Sequence, residues 1–316
     1  MDSVIIGTGI AGLCAAYELG KQGCQVLVLE KQEEFGGNGK EALTGINLIG
    51  SSSQDARGIT DSITQFKKDI YYAGSNQNDP TLVELLATKS KEFVTNLLKE
   101  LDITLTDLVN CGGHSVTRTH KPANWPTGDS QSVGRLLVNQ LVARLRALPN
   151  VKLLSSSRAI RLIVDEITLP IPSPSSVGTK DKQVTGVVYL NSQSEEIQVA
   201  TKTVIMCSGG YMACRSGSSL LAEFTADLCS LGTATGKHAD GEGIKMTRAA
   251  GGELVHMTNV QFDAFGIINQ SDPSNLSKDI LPSLIRSAGA IVVNADGKRI
   301  FNELDLSKKM ASALLH

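Results

Sequence analysis

Aromatic side chains are scarce: Phe, Trp and Tyr make up 4% of the 316 residues, with a single tryptophan, Trp125. That scarcity argues against stacking platforms for single-stranded nucleic acid. An excess of one charge is also missing. Thirty Lys and Arg stand against 32 Asp and Glu, so the formal net charge is −2. This excludes a strongly basic nucleic-acid binder and a long acidic tail. No run of about 18 apolar residues occurs, and no membrane span is expected. The six cysteines, Cys14, Cys24, Cys111, Cys207, Cys214 and Cys229, form no C-x-x-C pair. They read as reduced thiols of an intracellular protein, not as a disulfide framework or a metal site. The first strand begins near Ser3, so no secretory or transit segment is expected ahead of it unless one has been trimmed away. What is plentiful is glycine, 30 residues, beside an apolar fraction of 41%. Such a chain buries a sizeable core, and at roughly 100–200 residues per domain its length suggests two domains.

The organisation follows from periodicity. Ser3-Val4-Ile5-Ile6 is a buried-strand run that breaks at Gly7-Thr8-Gly9 into a helical pattern, Ile10–Leu19, closed by Gly20 and Gly23. Gln25–Glu30 is a second strand, apolar on both faces. Strand, turn, helix and strand within about 30 residues make a parallel, right-handed βαβ unit. Helices are expected near 58–73, 80–102 and 130–147. The second starts with Asp79 as cap and Pro80 in the first turn, and carries Leu82, Leu85, Leu86, Phe93, Leu97 and Leu98 at helical spacing. Strands are expected at 151–154, 159–165, 184–190, 197–207 and 289–294, a surface loop at 168–182, and further helices at 240–251, 282–286 and 306–315.

The strongest motif is Gly7-x-Gly9-x-x-Gly12 between strand and helix. The first glycine permits the tight turn, the second lets a pyrophosphate approach the backbone, and the third lets helix pack on strand. Glu30 ends the second strand, where an acidic residue bonds a ribose hydroxyl. Lys31 and the following Phe35-Gly36-Gly37-Asn38 favour FAD over NAD. So does Thr203-Val204-Ile205-Met206-Cys207-Ser208-Gly209-Gly210, a strand that returns to the nucleotide domain and ends in small residues.

Further stretches carry a family resemblance. They are Gly36-Gly37-Asn38, Thr44-Gly45-Ile46-Asn47, Gly112-Gly113-His114-Ser115-x-x-Arg118-Thr119-His120, Gly241-Glu242-Gly243, and Gly289 through Asn302-Glu303-Leu304-Asp305-Leu306. In this order they resemble the soluble fumarate reductase flavoproteins, relatives of the succinate dehydrogenase flavoprotein subunit, with the NADH-dependent enzymes of trypanosomatids nearest. The resemblance implies an α/β fold: a doubly wound, Rossmann-like FAD-binding domain over residues 1–211 and an α+β capping domain over 212–316, with the C-terminal part of the family fold missing. It implies FAD contacts at Gly7, Gly9, Ala11, Gly12, Glu30, Lys31, Gly37, Asn38, Gly39, Thr44, Gly45, Ala159, Ser208, Gly209 and Glu242. In that family flavin N5 passes hydride to fumarate and an arginine supplies the proton.

The sequence departs from the family where that chemistry belongs. The family's substrate-clamping histidine after Val-Gln is replaced by Asp263. Its Thr-Glu pair ahead of Arg286 is replaced by Pro282-Ser283, and its proton-donating arginine by Ser307. Serine cannot act as a charged donor, and an aspartate repels a dianion by several kcal/mol at about 4 Å and an effective dielectric near 20. Losing donor and clamp together removes many powers of ten in rate. Lys308 and Lys309 are one and two positions away and point elsewhere on a helix. Glu41 stands where the family has a lysine near the pyrophosphate, with Lys40 as a compensating charge.

Two readings stay open. One is a flavoprotein with its fumarate chemistry lost, Asp263, Arg286 and Ser307 being vestigial, acting as a structural or interaction subunit with FAD kept or lost. The other is an active flavin oxidoreductase completed by further sequence or another chain. A plain NAD-type binding module is a third, weaker reading. The first predicts a protein partner over the incomplete C-terminal side. The compartment is reducing, mitochondrial or cytoplasmic. His114 and His120 read as structural, His238 and His256 as surface or packing residues, Arg118 as a brace between domains, and Lys298-Arg299 as a turn face. Trp125 has no assigned role.

Overall fold

The computed structural model describes residues 1–123, 132–167, 181–261, 265–281 and 283–315. Trp125, Asp263 and Pro282, and most of the expected loop at 168–182, lie outside them. The chain runs β1 (Ser3–Ile6), α1 (Ile10–Lys21), β2 (Val26–Leu29), β3 (Ile46–Asn47), α2 (Ser52–Asp55), α3 (Ile63–Ala73), α4 (Pro80–Glu100), β4 (Asp107–Val109), β5 (Thr119–Lys121), α5 (Val133–Arg146), β6 (Val151–Leu154), β7 (Arg158–Ile167), β8 (Asp181–Leu190), β9 (Glu196–Ala200) and β10 (Thr203–Met206). It continues through α6 (Leu220–Phe224), α7 (Glu242–Ala249), β11 (Gly266–Ile267), β12 (Asp279–Ile280), α8 (Ser283–Ser287) and α9 (Ser307–Leu315).

The chain divides into two units, one of residues 1–41 and 135–260, the other of 42–134 and 261–316. The division expected after residue 211 falls inside the first unit. Strand pairing, not chain order, decides this. β1 pairs in parallel with β2 on one side and with β10 on the other, and β6 extends the sheet beyond β2. The sheet order is β10-β1-β2-β6, so distant stretches must join the first 30 residues. Residues beyond 211 stay with them because Met246 and Ala250 pack on the same apolar cluster as the sheet.

In the first unit, β1 and β2 are buried along their whole lengths, as parallel strands covered on both faces are. Val4, Ile6, Leu27 and Leu29 meet Ala159, Leu162, Val187 and Tyr189 of the antiparallel meander β7-β8-β9 in one core. The apolar run expected as one strand over 197–207 is split. β9 pairs antiparallel with β8, and β10 pairs parallel with β1. The chain changes sheets at Thr201, whose hydroxyl donates to the Thr203 carbonyl.

In the second unit, α3 starts at Ile63, five residues later than expected, because the Ser62 hydroxyl accepts the Gln65 N–H and fixes the start there. Asp79 caps α4, accepting from the Thr81 and Leu82 N–H groups at 2.8 and 3.0 Å, with Pro80 in the first turn. The inward face of α4 is Val83, Ala87, Val94, Leu97 and Leu98. Leu82, Leu85, Leu86 and Phe93, grouped with that stripe by periodicity, are exposed. β3, β5 and β4 form a small antiparallel sheet. The strand expected at 289–294 reduces to a single bridge, Val293 to Arg299. The Asn294 side chain accepts from the N–H groups of Asp296 and Lys298 and closes a tight turn instead.

Candidate cofactor and catalytic sites

Within the first unit a cavity of about 250 Å³ opens at the carboxyl ends of β1 and β2. Pockets for whole drug-sized ligands span roughly 300–1,000 Å³, so this one holds part of a dinucleotide. Three glycines shape its floor. Gly7 has φ +102°, and a Cβ there would sit 2.3 Å from the Cys207 carbonyl oxygen. A Cβ on Gly12 would sit 2.0 Å from the Gly7 oxygen, so helix and turn touch only because both residues are glycine. A Cβ on Gly9 would meet nothing within 4 Å: its side faces open space. Gly9 is the N-cap of α1, no side chain caps that helix, and its first turn holds no acid. Its first N–H groups have no intrahelical partner and belong to residues that line the cavity, as a pyrophosphate site requires.

The buried Glu30 carboxylate accepts from the Thr8 N–H, the Thr8 hydroxyl and the Gln32 N–H. A carboxylate has about four acceptor positions, which leaves one for a ribose hydroxyl. At the rim, Lys31 Nζ lies 2.7 Å from Asp240 and 3.3 Å from Glu242, and Arg158 also pairs with Glu242. Two cations thus meet two carboxylates, with Glu242 in the first turn of α7, where the helix dipole favours it. Gly243 is needed here, because a Cβ would fall 1.9 Å from the Ser208 hydroxyl. The uncapped helix end, the remaining acceptor position of Glu30 and the cradle a side chain at Gly9 would fill all fit FAD.

The cavity gathers Gly7, Gly9, Ala11, Glu30, Lys31, Gly37, Asn38, Gly39, Ala159, Ser208, Gly209 and Glu242 of the expected cofactor residues. Gly12 lies beneath it as a packing residue. Thr44 and Gly45 belong to the second unit and do not line it. A Cβ on Gly45 would sit 2.3 Å from the His120 carbonyl oxygen, so that glycine answers to β5. Glu41 does not line it either: it sits 3.9 Å from Arg135, and Lys40 pairs with Glu34 at 2.6 Å. Sequence reasoning missed His238, Asp240 and Arg158 in the lining. Asp240 was legible as the acid next to Gly241-Glu242-Gly243. Arg158 and His238 carry no motif.

The expected catalytic positions fall in the second unit. The buried Arg286, in α8, donates through Nη1 to the Glu303 carbonyl at 3.0 Å, and its Nη2 lies 3.4 Å from the Ser307 hydroxyl. Met310 Sδ is 3.4 Å from Nη1, and the Phe265 ring lies under the guanidinium at 5.2 Å. Among the described residues no carboxylate pairs with Arg286. Ser307 opens α9. Lys308 reaches the Ala73 carbonyl and Ser75, and Lys309 reaches Tyr72 and Asp305. Neither lysine extends to Arg286. Asp263 lies outside the described residues, as does the side chain of Ser283.

The histidines of the Gly112–His120 motif are set by packing. His120 Nδ1 donates to the Arg118 carbonyl at 2.8 Å, so its Nε2 accepts from the Ser51 hydroxyl at 2.7 Å. Burial pushes the pKa of His120 down, and burial does the same at His114, assisted by the charge of Arg118. Arg118 is fully buried and forks onto Asp61, with both bonds at 2.9 Å, while Nη1 reaches Asp69.

Residues 2–316 match the model of a family described as FAD binding domain. The chain is 30% identical over 314 residues to the NADH:fumarate oxidoreductase of Klebsiella pneumoniae, covering 99% of this chain and 30% of that protein. It is 30% identical over 313 residues to fumarate reductase 1 of Saccharomyces cerevisiae, covering 98% of this chain and 63% of that protein. Its fold superposes on the open conformation of a flavocytochrome c3 fumarate reductase with a TM-score of 0.77 at 25% identity, over 99% of this chain and 50% of that one. The chain thus spans between about a third and two thirds of the length of these relatives. FAD is the cofactor these likenesses support, in agreement with the cavity.

Proposed function

Because the chain belongs to the FAD-binding domain family and resembles fumarate reductase flavoproteins along nearly its whole length, we propose that it is a flavoprotein of that type whose fumarate chemistry is disabled. The observation that carries this reading is the surroundings of Arg286: a carbonyl, a thioether, a serine hydroxyl and an aromatic ring, without a carboxylate among the described residues. A proton relay through a guanidinium needs a base to refill it and a second donor to reach substrate. Ser307 has a hydroxyl too weakly acidic for that second role. FAD, when bound, supplies hydride chemistry, and the residues of the first unit hold it at the α1 N-terminus and Glu30. The second unit then corresponds to the substrate-side, capping part of the family fold.

The exposed Leu82, Leu85, Leu86 and Phe93 of α4 support a role within a larger assembly. All six cysteines are free, which suits a reducing compartment, cytoplasmic or mitochondrial.

The test is anaerobic reoxidation of the reduced flavin by fumarate. No rate above the fumarate-free control is expected. Reoxidation on the timescale of seconds would sink the reading in favour of an active fumarate reductase. Reoxidation by a monocarboxylate enoate or a quinone, with fumarate inert, would instead favour an oxidoreductase with a different acceptor.

A further inference from the structure

His238 lines the cofactor cavity, yet no sequence motif pointed to it. Its Nε2 is buried and has no hydrogen-bond partner among the described residues. A buried polar nitrogen left unpaired is costly and is retained where a ligand completes it. Gly236 makes room for the ring, and Gly37 borders it. A Cβ on Gly236 would press into it, 2.3 Å from Cε1 and 2.7 Å from Nδ1. A Cβ on Gly37 would stand 3.8 Å from Nε2 and 3.7 Å from Gly9 Cα. Nε2 and the N-cap of α1 therefore flank the same side-chain-free space. The ring is also held in place: the Gly236 N–H donates to Asn38 Oδ1 at 3.1 Å, which ties the 236–238 turn to the wall formed by Gly37 and Asn38.

We infer that His238 is a ligand of the cofactor pyrophosphate, its Nε2–H donating to a phosphate oxygen opposite the uncapped N-terminus of α1. This rests on FAD occupying the cavity. The rim charges facing the cavity, Lys31 and Arg158, are already paired with Asp240 and Glu242. Beside the backbone N–H groups, His238 is then a titratable lining side chain whose Nε2 is still able to answer the phosphate charge.

A pH dependence follows. Burial holds the His238 pKa below its ordinary value; Glu30 and Asp240 pull it up, and Lys31 and Lys40 push it down. The pyrophosphate adds negative charge beside the ring and raises it. Between the two pKa values, binding takes up a proton, and affinity falls as pH rises. Below the lower and above the upper value, affinity is flat.

The experiment titrates the flavin-stripped full chain with FAD between pH 5 and 8.5, by flavin fluorescence and by calorimetry in two buffers of different ionisation enthalpy. The wild type should lose about tenfold in affinity across the window, as a raised histidine pKa of about one unit implies, with uptake of up to one proton. His238→Gln keeps a donor but cannot charge, and should give a flat profile. His238→Ala should be flat and weaker still. Circular dichroism of each variant checks that the fold is kept. ADP-ribose, which keeps the pyrophosphate without a terminal phosphate, should reproduce the wild-type dependence, and adenosine should not. Tight FAD binding without pH dependence or proton uptake overturns the inference, as does a His238→Gln profile that matches wild type. The same dependence with adenosine overturns the pyrophosphate assignment. A wild type that binds no FAD overturns the reading of the cavity itself, and this role with it.

Discussion

Arg286 Nη2 lies 3.4 Å from the Ser307 hydroxyl, at the first residue of α9. The resemblance puts an arginine at 307, so the obvious repair is Ser307→Arg. It is expected to fail alone. A second guanidinium would sit beside Arg286 at the positive end of α9, and like charges about 4 Å apart cost about 4 kcal/mol at an effective dielectric of 20. Fumarate-dependent flavin reoxidation should stay within about tenfold of the fumarate-free control. Adding Ser283→Glu restores the acid that the family carries ahead of Arg286, and the pair should rise roughly 10²-fold above that control, the low end of what a positioned proton donor contributes. A full recovery by Ser307→Arg alone, measured by stopped-flow, would refute this account.

The glycines of the α1 turn separate folding from binding. Gly9→Ala adds a methyl that meets nothing within 4 Å, at φ −59°, where alanine is at ease. Its thermal midpoint without flavin should be unchanged within a degree or two, while FAD affinity falls by about a hundredfold because the methyl occupies pyrophosphate space. Gly12→Ala drives a methyl to 2.0 Å from the Gly7 oxygen. It should cost about 2–3 kcal/mol of stability, as overpacking at a close contact does. Urea unfolding and flavin titration of both proteins would show the difference; equal stability loss in the two would contradict it.

The cavity was legible in the sequence where backbone geometry demands a residue type. Gly7, Gly9 and Gly12 announce themselves because a Cβ is forbidden or harmful there, and Glu30 because it closes a buried strand with a charge. The parallel pairing of β1 with β2 also followed from the pattern, and so did the return of Thr203–Met206 to the nucleotide domain, but not its place beside β1. The two-unit division did not. Periodicity reports which face of an element is buried and says nothing of which distant strand it joins. His238 was illegible for a related reason: its place beside the α1 turn and the Gly37–Asn38 wall depends on chain stretches far apart in sequence. On α4, helical spacing grouped two stripes as one. Leu82, Leu85, Leu86 and Phe93 are exposed, while Val83, Ala87 and Val94 face inward.

Arg118 is the electrostatic keystone of the second unit. Burial pushes the carboxyls of Asp61 and Asp69 up, but hydrogen bonds, chiefly from Arg118 and from the Ser115 N–H to Asp69, outweigh it and hold both below their ordinary values. Removing the guanidinium leaves buried carboxylates unpaired, at a cost of about 3–5 kcal/mol. Arg118→Met should lose that much in urea unfolding at pH 7. Arg118→Lys should recover only part, because an ammonium cannot fork onto Asp61. Adding Asp61→Asn and Asp69→Asn to Arg118→Met should restore much of the loss. If that triple variant is no more stable than Arg118→Met, unpaired charge is not the cause.

Glu303 makes the complementary acid-pH prediction. Its buried side chain accepts from Arg299 and from the Val292 N–H, and these bonds, Arg299 first, bring its pKa down to about 2. A carboxyl whose folded pKa is depressed stabilises the fold above its unfolded value, near 4.5, and that contribution is lost as pH falls through the folded one. Arg299 stays charged throughout, so the window is set by Glu303 alone. Glu303→Gln keeps an acceptor for Val292 and removes the charge. Its stability deficit against the unmodified chain should be constant above about pH 5, shrink between 4.5 and 2, and vanish below. Urea midpoints across that range, with Glu303 followed by NMR, read this directly. A deficit independent of pH would mean that Glu303 works through shape and neutral hydrogen bonding, and that the Asn302-Glu303 motif is not held by its charge.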